Sequence, residues 1–177
     1  MSQSNRSVIK RKILARGARF TAYRDIVAAP GGKKIIREWF RRTPVSAIIP
    51  VLSNHKIILV RQYRHGANQT LWEIPAGGVS KNETPRQTAR RECIEETGYR
   101  PRKLRKLTQF FSSPAHSDEV VHVYIASHLK QVGQSLEPDE DIDVRAFSKT
   151  EVRRMLNNNK IRDAKSMIAL RLFLDFK

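Results

Sequence analysis

The stretch from Gly77 to Arg100, GGVSKNETPRQTARRECIEETGYR, constrains the fold most, because it specifies a helix with a marked start and a marked end. Thr84 suits the N-cap, Pro85 suits the first helical position, and Gln87 completes a Thr-x-x-Gln capping box. Gly98 can adopt the left-handed conformation that ends many helices. The sequence therefore predicts a helix that begins after Thr84 and ends at Gly98.

Three glutamates, Glu92, Glu95 and Glu96, follow at i, i+3 and i+4 and so share one face of this helix. Like charges at that spacing repel by roughly a few tenths of a kcal/mol per pair, and the chain as a whole carries a formal charge of +17. One source of compensation is pairing with Arg90 and Arg91, which would make this an ordinary solvated face. The other is bound metal, since clustered carboxylates suit hard divalent cations such as Mg²⁺ or Mn²⁺.

The spacing of the surrounding residues favours the metal. The fixed positions are Gly77, five residues, Glu83, seven residues, Arg91-Glu92-Cys93, one residue, Glu95-Glu96, one residue, and Gly98-Tyr99. This pattern resembles the signature of the Nudix hydrolases, which cleave a nucleoside diphosphate linked to another group in a metal-dependent reaction. The resemblance implies that Glu92, Glu96 and the backbone carbonyl of Ala76 bind the metal, while Arg91 and Glu83 hold the ligands in place.

Cysteine content and hydropathy predict the cellular compartment of this chain. The chain has 177 residues and one cysteine, so it contains no intramolecular disulfide, which suits the reducing cytoplasm. No apolar run approaches the roughly 20 residues that span a bilayer, and the N-terminus lacks a signal-peptide core. Cys93 is spaced to pack in the core with Ala89; a catalytic thiol is the alternative.

Charge is distributed unevenly along the chain. Residues 1–66 contain fifteen lysines and arginines but only two acids, Asp25 and Glu38. The acidic residues concentrate at 92–96 and 137–143. A strongly basic surface attracts polyanions, so nucleic acid, a membrane surface or a phosphorylated metabolite are candidate partners. The alternative is solubilising charge, which explains scattered lysines well but the two acidic clusters poorly.

The remaining pattern alternates between strands and a few helices. Residues 1–18 are polar and basic, and we expect them to be frayed or only partly ordered. The runs 20–28 and 34–41, joined by Ala29-Pro-Gly-Gly-Lys33, predict a β-hairpin. Further strands are predicted at 45–52, 56–63, 104–111, 120–129 and 144–147, and helices at 149–157 and 163–176. This mixture indicates an α+β fold.

The Nudix resemblance adds an architecture to that reading. It implies an α/β/α sandwich with a mixed sheet, here preceded by the N-terminal hairpin. We therefore divide the chain into residues 1–43, a basic segment and hairpin for dimerisation and substrate contacts, and residues 44–177, the hydrolase domain.

Residues outside the helix narrow the resemblance to one subgroup. Gln62-Tyr63-Arg64, the run from Trp72 to Gly77, and Ser113-Pro114 look like the ADP-ribose pyrophosphatases and nucleoside diphosphate sugar hydrolases. Ala115 replaces a glycine that is common in that subgroup. The resemblance implies a nucleotide-sugar substrate contacted by five side chains: Arg37, Arg64, Glu73, Ser113 and Glu119.

Two of these contacts have a physical rationale of their own. The guanidinium of Arg64 can clamp a phosphate through two hydrogen bonds, although a strand-end arginine can equally be solvated. Glu73 lies among apolar residues, where an unpaired carboxylate is costly, so it requires an arginine or a ribose hydroxyl as partner. Phe20 and Tyr23 can stack on a base or simply pack.

The catalytic base has two candidates. In the resembling subgroup a late loop supplies an extra glutamate, and Glu140 in Pro138-Asp-Glu-Asp-Ile142 matches that position. Its alternative is a solvated acidic turn, in which case Glu95 is the base.

Two rival functions and one assembly state complete the predictions. An enzyme that removes 5′ pyrophosphate from RNA would suit the basic N-terminal third, and a non-catalytic ADP-ribose sensor would be expected to lack a glutamate of the signature. The complete signature and the stretch from Trp72 to Gly77 favour the sugar nucleotide hydrolase. Because an isolated hairpin is marginal in water, and because the subgroup pairs its hairpin with a second subunit, we expect a homodimer.

Overall fold

The computed structural model describes residues 7–138 and 140–175. The chain divides into two compact units: Met1–Thr43 with Phe111–Glu119, and Pro44–Phe110 with Val120–Lys177. Within the described stretches, no helix is long and apolar enough to cross a membrane.

The first unit is built on an antiparallel sheet in the order β1-β2-β3, with β1 at Val8–Arg16, β2 at Phe20–Ala28 and β3 at Lys34–Arg42. The predicted hairpin between β2 and β3 is confirmed. Its turn uses the left-handed backbone that glycine allows, at Gly31 with φ 78° and Gly32 with φ 80°.

The prediction that residues 1–18 are frayed or only partly ordered is wrong for β1. This strand pairs along β2, and Arg11 donates two hydrogen bonds of 2.8 Å to the buried carboxylate of Asp25. Every residue of β1 is exposed, so it lacks the alternation that marks a half-buried strand in a sequence. Residues 1–6 lie outside the described part of the chain.

In its described residues, the second unit contains two sheets and three helices. One sheet has the order β7-β4-β9-β8 and is mixed, because β4 is parallel to β9 and antiparallel to β7; the other has the antiparallel order β10-β5-β6. The elements are β4 Val45–Pro50, β5 Ile57–Arg64, β6 Gln69–Glu73, β7 Ala76–Gly78, α1 Pro85–Thr97, β8 Tyr99–Phe111, β9 Val120–Gln131, β10 Ile142–Phe147, α2 Lys149–Asn157 and α3 Ala164–Asp175.

Helices cover both faces of the mixed sheet. On β4, Ile48 packs in one cluster with Ala89 and Cys93 of α1. Its neighbour Ile49 points the other way, into a cluster that contains residues of α2 and α3. Since successive strand residues face opposite sides, these contacts build the predicted α+β sandwich, which is confirmed, and they place Cys93 in the core.

Several predicted element ends differ from the observed ones by one or two residues, for example β10, which begins at Ile142 rather than Val144, and three differences are larger or of another kind. The strand predicted from Leu104 begins at Tyr99, directly after Gly98 ends α1. Strands β6 and β7 were not predicted as separate elements, because five and three residues are too few for a periodic signal. The last helix ends at Asp175 in the described residues, and Phe176 lies outside them.

Candidate active site

The local sequence around α1 forms the caps that it predicts. The Thr84 hydroxyl accepts a hydrogen bond from the backbone N–H of Gln87, and the Gln87 side chain accepts one from the backbone N–H of Thr84. Gly98 closes the helix in the left-handed region at φ 74°, and its N–H donates to the Ile94 carbonyl. The helix that carries the glutamates is thus held at both ends by its own sequence.

Two of the three glutamates are buried against the backbone of β7. The exposed fraction is 7% for Glu92 and 3% for Glu96. The backbone N–H of Ala76 donates to Glu96 Oε2 at 3.2 Å. A Cβ atom at Gly77 would lie 1.8 Å from Glu92 Oε1, so only glycine lets this carboxylate approach the strand.

Arg91 contacts three acids on and beside this helix. Its Nη1 lies 2.8 Å from Glu92 Oε1 and 2.6 Å from Glu95 Oε2, and its Nε lies 3.0 Å from Glu83 Oε1. Glu83 also accepts a hydrogen bond from Thr88 Oγ1 at 2.8 Å. Arg91 therefore fixes the Glu92 carboxylate from the side, while Glu95 is engaged by the same guanidinium.

Both buried carboxylates are harder to ionise than an ordinary glutamate, because their surroundings do not compensate two negative charges. Burial is the main reason that the pKa of Glu92 is raised to about 7, and the charges of Glu95 and Glu140 add to this while Arg91 opposes it. Burial likewise raises the pKa of Glu96 to about 8, with further contributions from Glu92 and Glu140. A cation placed beside both would reverse these shifts, because an opposite charge favours the ionised form.

The donor set fits a hard divalent cation. It consists of two buried carboxylates that lie against the backbone of Ala76 and Gly77, and such oxygen ligands suit Mg²⁺ or Mn²⁺. Among residues 7–138 and 140–175, no three side chains of the His, Cys, Asp and Glu types are already gathered around one point. Glu95, the third acid of the predicted trio, points to Arg91 instead.

Glu140 belongs to the surroundings of this pair. Its negative charge contributes to the raised pKa of both Glu92 and Glu96, so its carboxylate is within electrostatic reach of them. Its Oε2 accepts a hydrogen bond from the backbone N–H of Glu137 at 3.0 Å, which orders the loop locally. Asp139, its neighbour in that loop, lies outside the described residues.

A second buried acid, Glu73, lies at the end of β6 and is 1% exposed. Arg64 donates to it through Nε at 2.9 Å and Nη2 at 2.7 Å, which confirms an arginine as its partner. Lys165 of α3 lies 2.5 Å away from the same carboxylate and 3.0 Å from Asp163. Burial raises the pKa of Glu73, but these two cations outweigh that effect and hold the pKa below its usual value.

Sequence reasoning did not single out Lys165. The contact joins β6 to the start of α3, where the Asp163 side chain accepts a hydrogen bond from the Ser166 backbone N–H and the Ser166 hydroxyl accepts one from the Ile74 N–H. The available signal was Asp163, three residues before Ser166, which is the spacing of a helix N-cap. That signal locates the start of α3 but not its partner strand.

The other three predicted substrate contacts belong to the first unit. Arg37 is exposed on β3 and donates to the carbonyl of Ile36. The Ser113 carbonyl accepts two backbone hydrogen bonds in the turn that follows. Glu119 pairs with Arg42 at 3.0 Å. Tyr23 stacks on Trp39 with ring centroids 5.0 Å apart and is buried, so it packs rather than offering a free face.

Comparisons with known proteins agree with this geometry. A profile of the NUDIX domain matches residues 41–170. The chain is 35% identical to an ADP-ribose pyrophosphatase of Bacillus subtilis over 171 residues, 96% of this chain and 92% of that protein. It is 32% identical to a GDP-mannose pyrophosphatase of Salmonella arizonae over 185 residues, 96% and 95% of the two chains. A solved structure of an ADP compounds hydrolase has the same fold, with a TM-score of 0.86 over 98% of this chain and 94% of that one at 20% identity.

Proposed function

The chain belongs to the Nudix family, and on that premise we propose that it hydrolyses the pyrophosphate bond of nucleoside diphosphate sugars. With ADP-ribose, water adds to one phosphorus, the bond from that phosphorus to the bridging oxygen breaks, and AMP and ribose 5-phosphate leave. The observation that carries the proposal is the buried pair Glu92 and Glu96 on a capped helix against Ala76 and Gly77, within a complete signature.

A divalent cation, Mg²⁺ or Mn²⁺, is the cofactor that this site would hold. Glu92 and Glu96 would bind it through carboxylate oxygens, and Ala76 through its carbonyl. When bound, such an ion neutralises phosphate charge and lowers the pKa of a coordinated water. Arg91 keeps Glu92 in position for this role through the 2.8 Å contact.

The protein's own residues supply the rest of the chemistry. Glu73 occupies the Nε and Nη2 edge of Arg64 and leaves Nη1 to meet a phosphate oxygen, so the guanidinium is oriented before substrate arrives. Glu140 is the proposed base that takes the proton of the attacking water. Its effect on Glu92 and Glu96 supports that role, and Glu95 is the second candidate.

The first unit is proposed to contribute Arg37, Ser113 and Glu119 to the substrate and to form a homodimer. Large apolar side chains are exposed on its three strands: Val8, Ile9, Ile13, Leu14, Phe20, Ile36 and Phe40. Exposed apolar patches of this kind are typical of protein interfaces. Light scattering at assay concentration tests this, and a monomeric mass would contradict it.

The compartment and the class of partner follow from residue chemistry. Cys93 is a free, buried thiol, and we propose the cytoplasm as the compartment. Neither a membrane nor a nucleic acid is part of the proposed function, although the basic charge would strengthen any encounter with RNA.

The test is a product-release panel in Mg²⁺ across ADP-ribose, GDP-mannose, other sugar nucleotides, dinucleoside polyphosphates and 5′-pyrophosphorylated RNA. We expect the highest kcat/KM with a nucleoside diphosphate sugar and loss of activity on chelation. Preference for the RNA would contradict the proposal, and so would full activity after chelation.

A further inference from the structure

Gln62 on β5 has a feature that the proposed function leaves unexplained. It is 8% exposed, and its Nε2 is the one buried side-chain nitrogen or oxygen of residues 7–138 and 140–175 without a hydrogen-bond partner. Leaving a buried donor unsatisfied costs about 1–3 kcal/mol. Native proteins contain few such groups, and an orphaned one calls for an explanation.

The register of β5 places Gln62 on the Arg64 face of the sheet. Residues two apart on a strand share a face, so Gln62 lies beside Arg64. Gln62 is opposite Leu71 on β6, and Glu73, two residues further, is the partner of Arg64. The orphaned amide thus adjoins the Arg64–Glu73 pair.

The end of α1 is connected to β10, the strand on the other side of Gln62. On the other neighbouring strand, Gln62 is opposite Ile142. The side chain of Gln134 donates to the carbonyls of both Glu96 and Ile142, which ties the end of α1 to the start of β10. The charge of Arg64 also lowers the pKa of Glu96, so the two groups are within electrostatic reach. Gln62 therefore lies next to the proposed phosphate clamp, and its neighbouring strand β10 is tied to the helix that carries the proposed metal ligands.

We propose that Gln62 Nε2 donates a hydrogen bond to a non-bridging oxygen of the substrate diphosphate. This rests on the proposed function for the identity of the substrate. A diphosphate offers only acceptors, and an amide N–H₂ offers two donors. The bond satisfies the orphaned donor, so the cost carried by the unligated protein is recovered when substrate binds.

Gln62→Met tests this, because it keeps the volume of the side chain and removes the donor. Gln131→Met makes the same chemical change at the exposed end of β9 and serves as control. Gln62→Glu is the second variant, since it replaces a donor by an anion. Calorimetric binding of ADP-ribose, ADP and adenosine is measured in chelator, where hydrolysis does not interfere, together with thermal unfolding of each unligated protein.

For Gln62→Met we expect about 10- to 100-fold weaker binding of both ADP-ribose and ADP, the worth of a hydrogen bond to a charged group. Gln62→Met should bind adenosine as tightly as wild type does, and Gln131→Met should bind all three ligands as tightly as wild type does. The unligated Gln62→Met protein should unfold at the same or a higher temperature. Gln62→Glu should weaken the two diphosphates further.

Two results would overturn the inference. One is ADP affinity of Gln62→Met equal to wild type. The other is equal weakening of ADP and adenosine, which indicates general damage. The ADP arm separates this test from that of the proposed function: wild-type protein that hydrolyses no nucleotide sugar refutes the function, while ADP binding still decides the role of Gln62.

Discussion

Glu73 and Glu96 are both almost completely buried in the same unit, yet the pKa of Glu73 is lowered and that of Glu96 is raised. Glu73 contacts Arg64 and Lys165, and despite burial its pKa stays below the usual value. Glu96 receives one backbone N–H, and burial raises its pKa to about 8. Among residues 7–138 and 140–175, the first carboxylate is in direct contact with two cations and the second is in direct contact with none.

This difference in counter-ions indicates that Glu73 has a positioning role and that Glu96 has a ligand-binding role. A buried carboxylate with two internal cations holds Arg64 and the start of α3 in fixed positions. A buried pair in which only Glu92 contacts an arginine is unstable as two anions, and its ionised form becomes favourable when a cation binds beside it. We therefore interpret Glu73 as positioning the substrate clamp, and Glu92 with Glu96 as the ligands of the catalytic metal.

The largest expected effect on activity comes from neutralising Glu92 or Glu96. Glu92→Gln or Glu96→Gln should reduce turnover by several orders of magnitude, because each removes a proposed ligand of the divalent cation that would lower the pKa of the attacking water. Steady-state rates with ADP-ribose in Mg²⁺ measure this, and circular dichroism checks that the fold is kept. Turnover within tenfold of wild type would contradict the proposal that Glu92 and Glu96, unlike Glu73, bind the metal.

A smaller loss, roughly 100-fold, is expected for Glu140→Gln, consistent with removal of a general base. The loss should appear in kcat rather than KM, because the role belongs to the transition state. Glu137→Gln and Asp139→Asn are the matched controls and should be mild. If Glu140→Gln keeps near-normal turnover on its best substrate, the base is Glu95.

Neutralising Glu73 and neutralising Glu96 should change the stability of the protein in opposite directions. Glu73→Gln leaves Lys165 and Arg64 without their shared anion and should lower the free energy of unfolding by about 2–3 kcal/mol, less than for a fully buried pair because Arg64 is partly exposed. Glu96→Gln should raise that free energy in chelator at pH 8, since it removes an uncompensated charge. Denaturant unfolding of both variants measures the signs, and equal signs would contradict the account.

The sequence predicts the two places to different depths. The caps of α1 are local, so Thr84, Gln87 and Gly98 predict the start and the end of the helix. The spacing of Glu92 and Glu96 is local too, and it predicts that they share a face of this helix. The pairing of Glu73 with Lys165 joins residues 92 apart, and nothing in either segment identifies the other. The bridging by Arg91 of Glu83 and Glu95 depends on rotamers, and the orphaned amide of Gln62 depends on every neighbour at once. Strand β1 lacked a burial pattern altogether.

The most direct measurement is thermal unfolding of the chelated protein between pH 5.5 and 8.5, with and without Mg²⁺. Glu92 and Glu96 have folded-state pKa values of about 7 and 8, above the ordinary value near 4.3 that we expect when unfolded. The folded state then binds more protons in this window, so its stability falls as pH rises through 7 and 8. Subtracting the Glu96→Gln profile removes opposing groups such as His122, whose pKa burial lowers. We predict a midpoint that falls with pH and is restored by Mg²⁺ at pH 8.5. A flat difference profile that ignores Mg²⁺ would contradict the account.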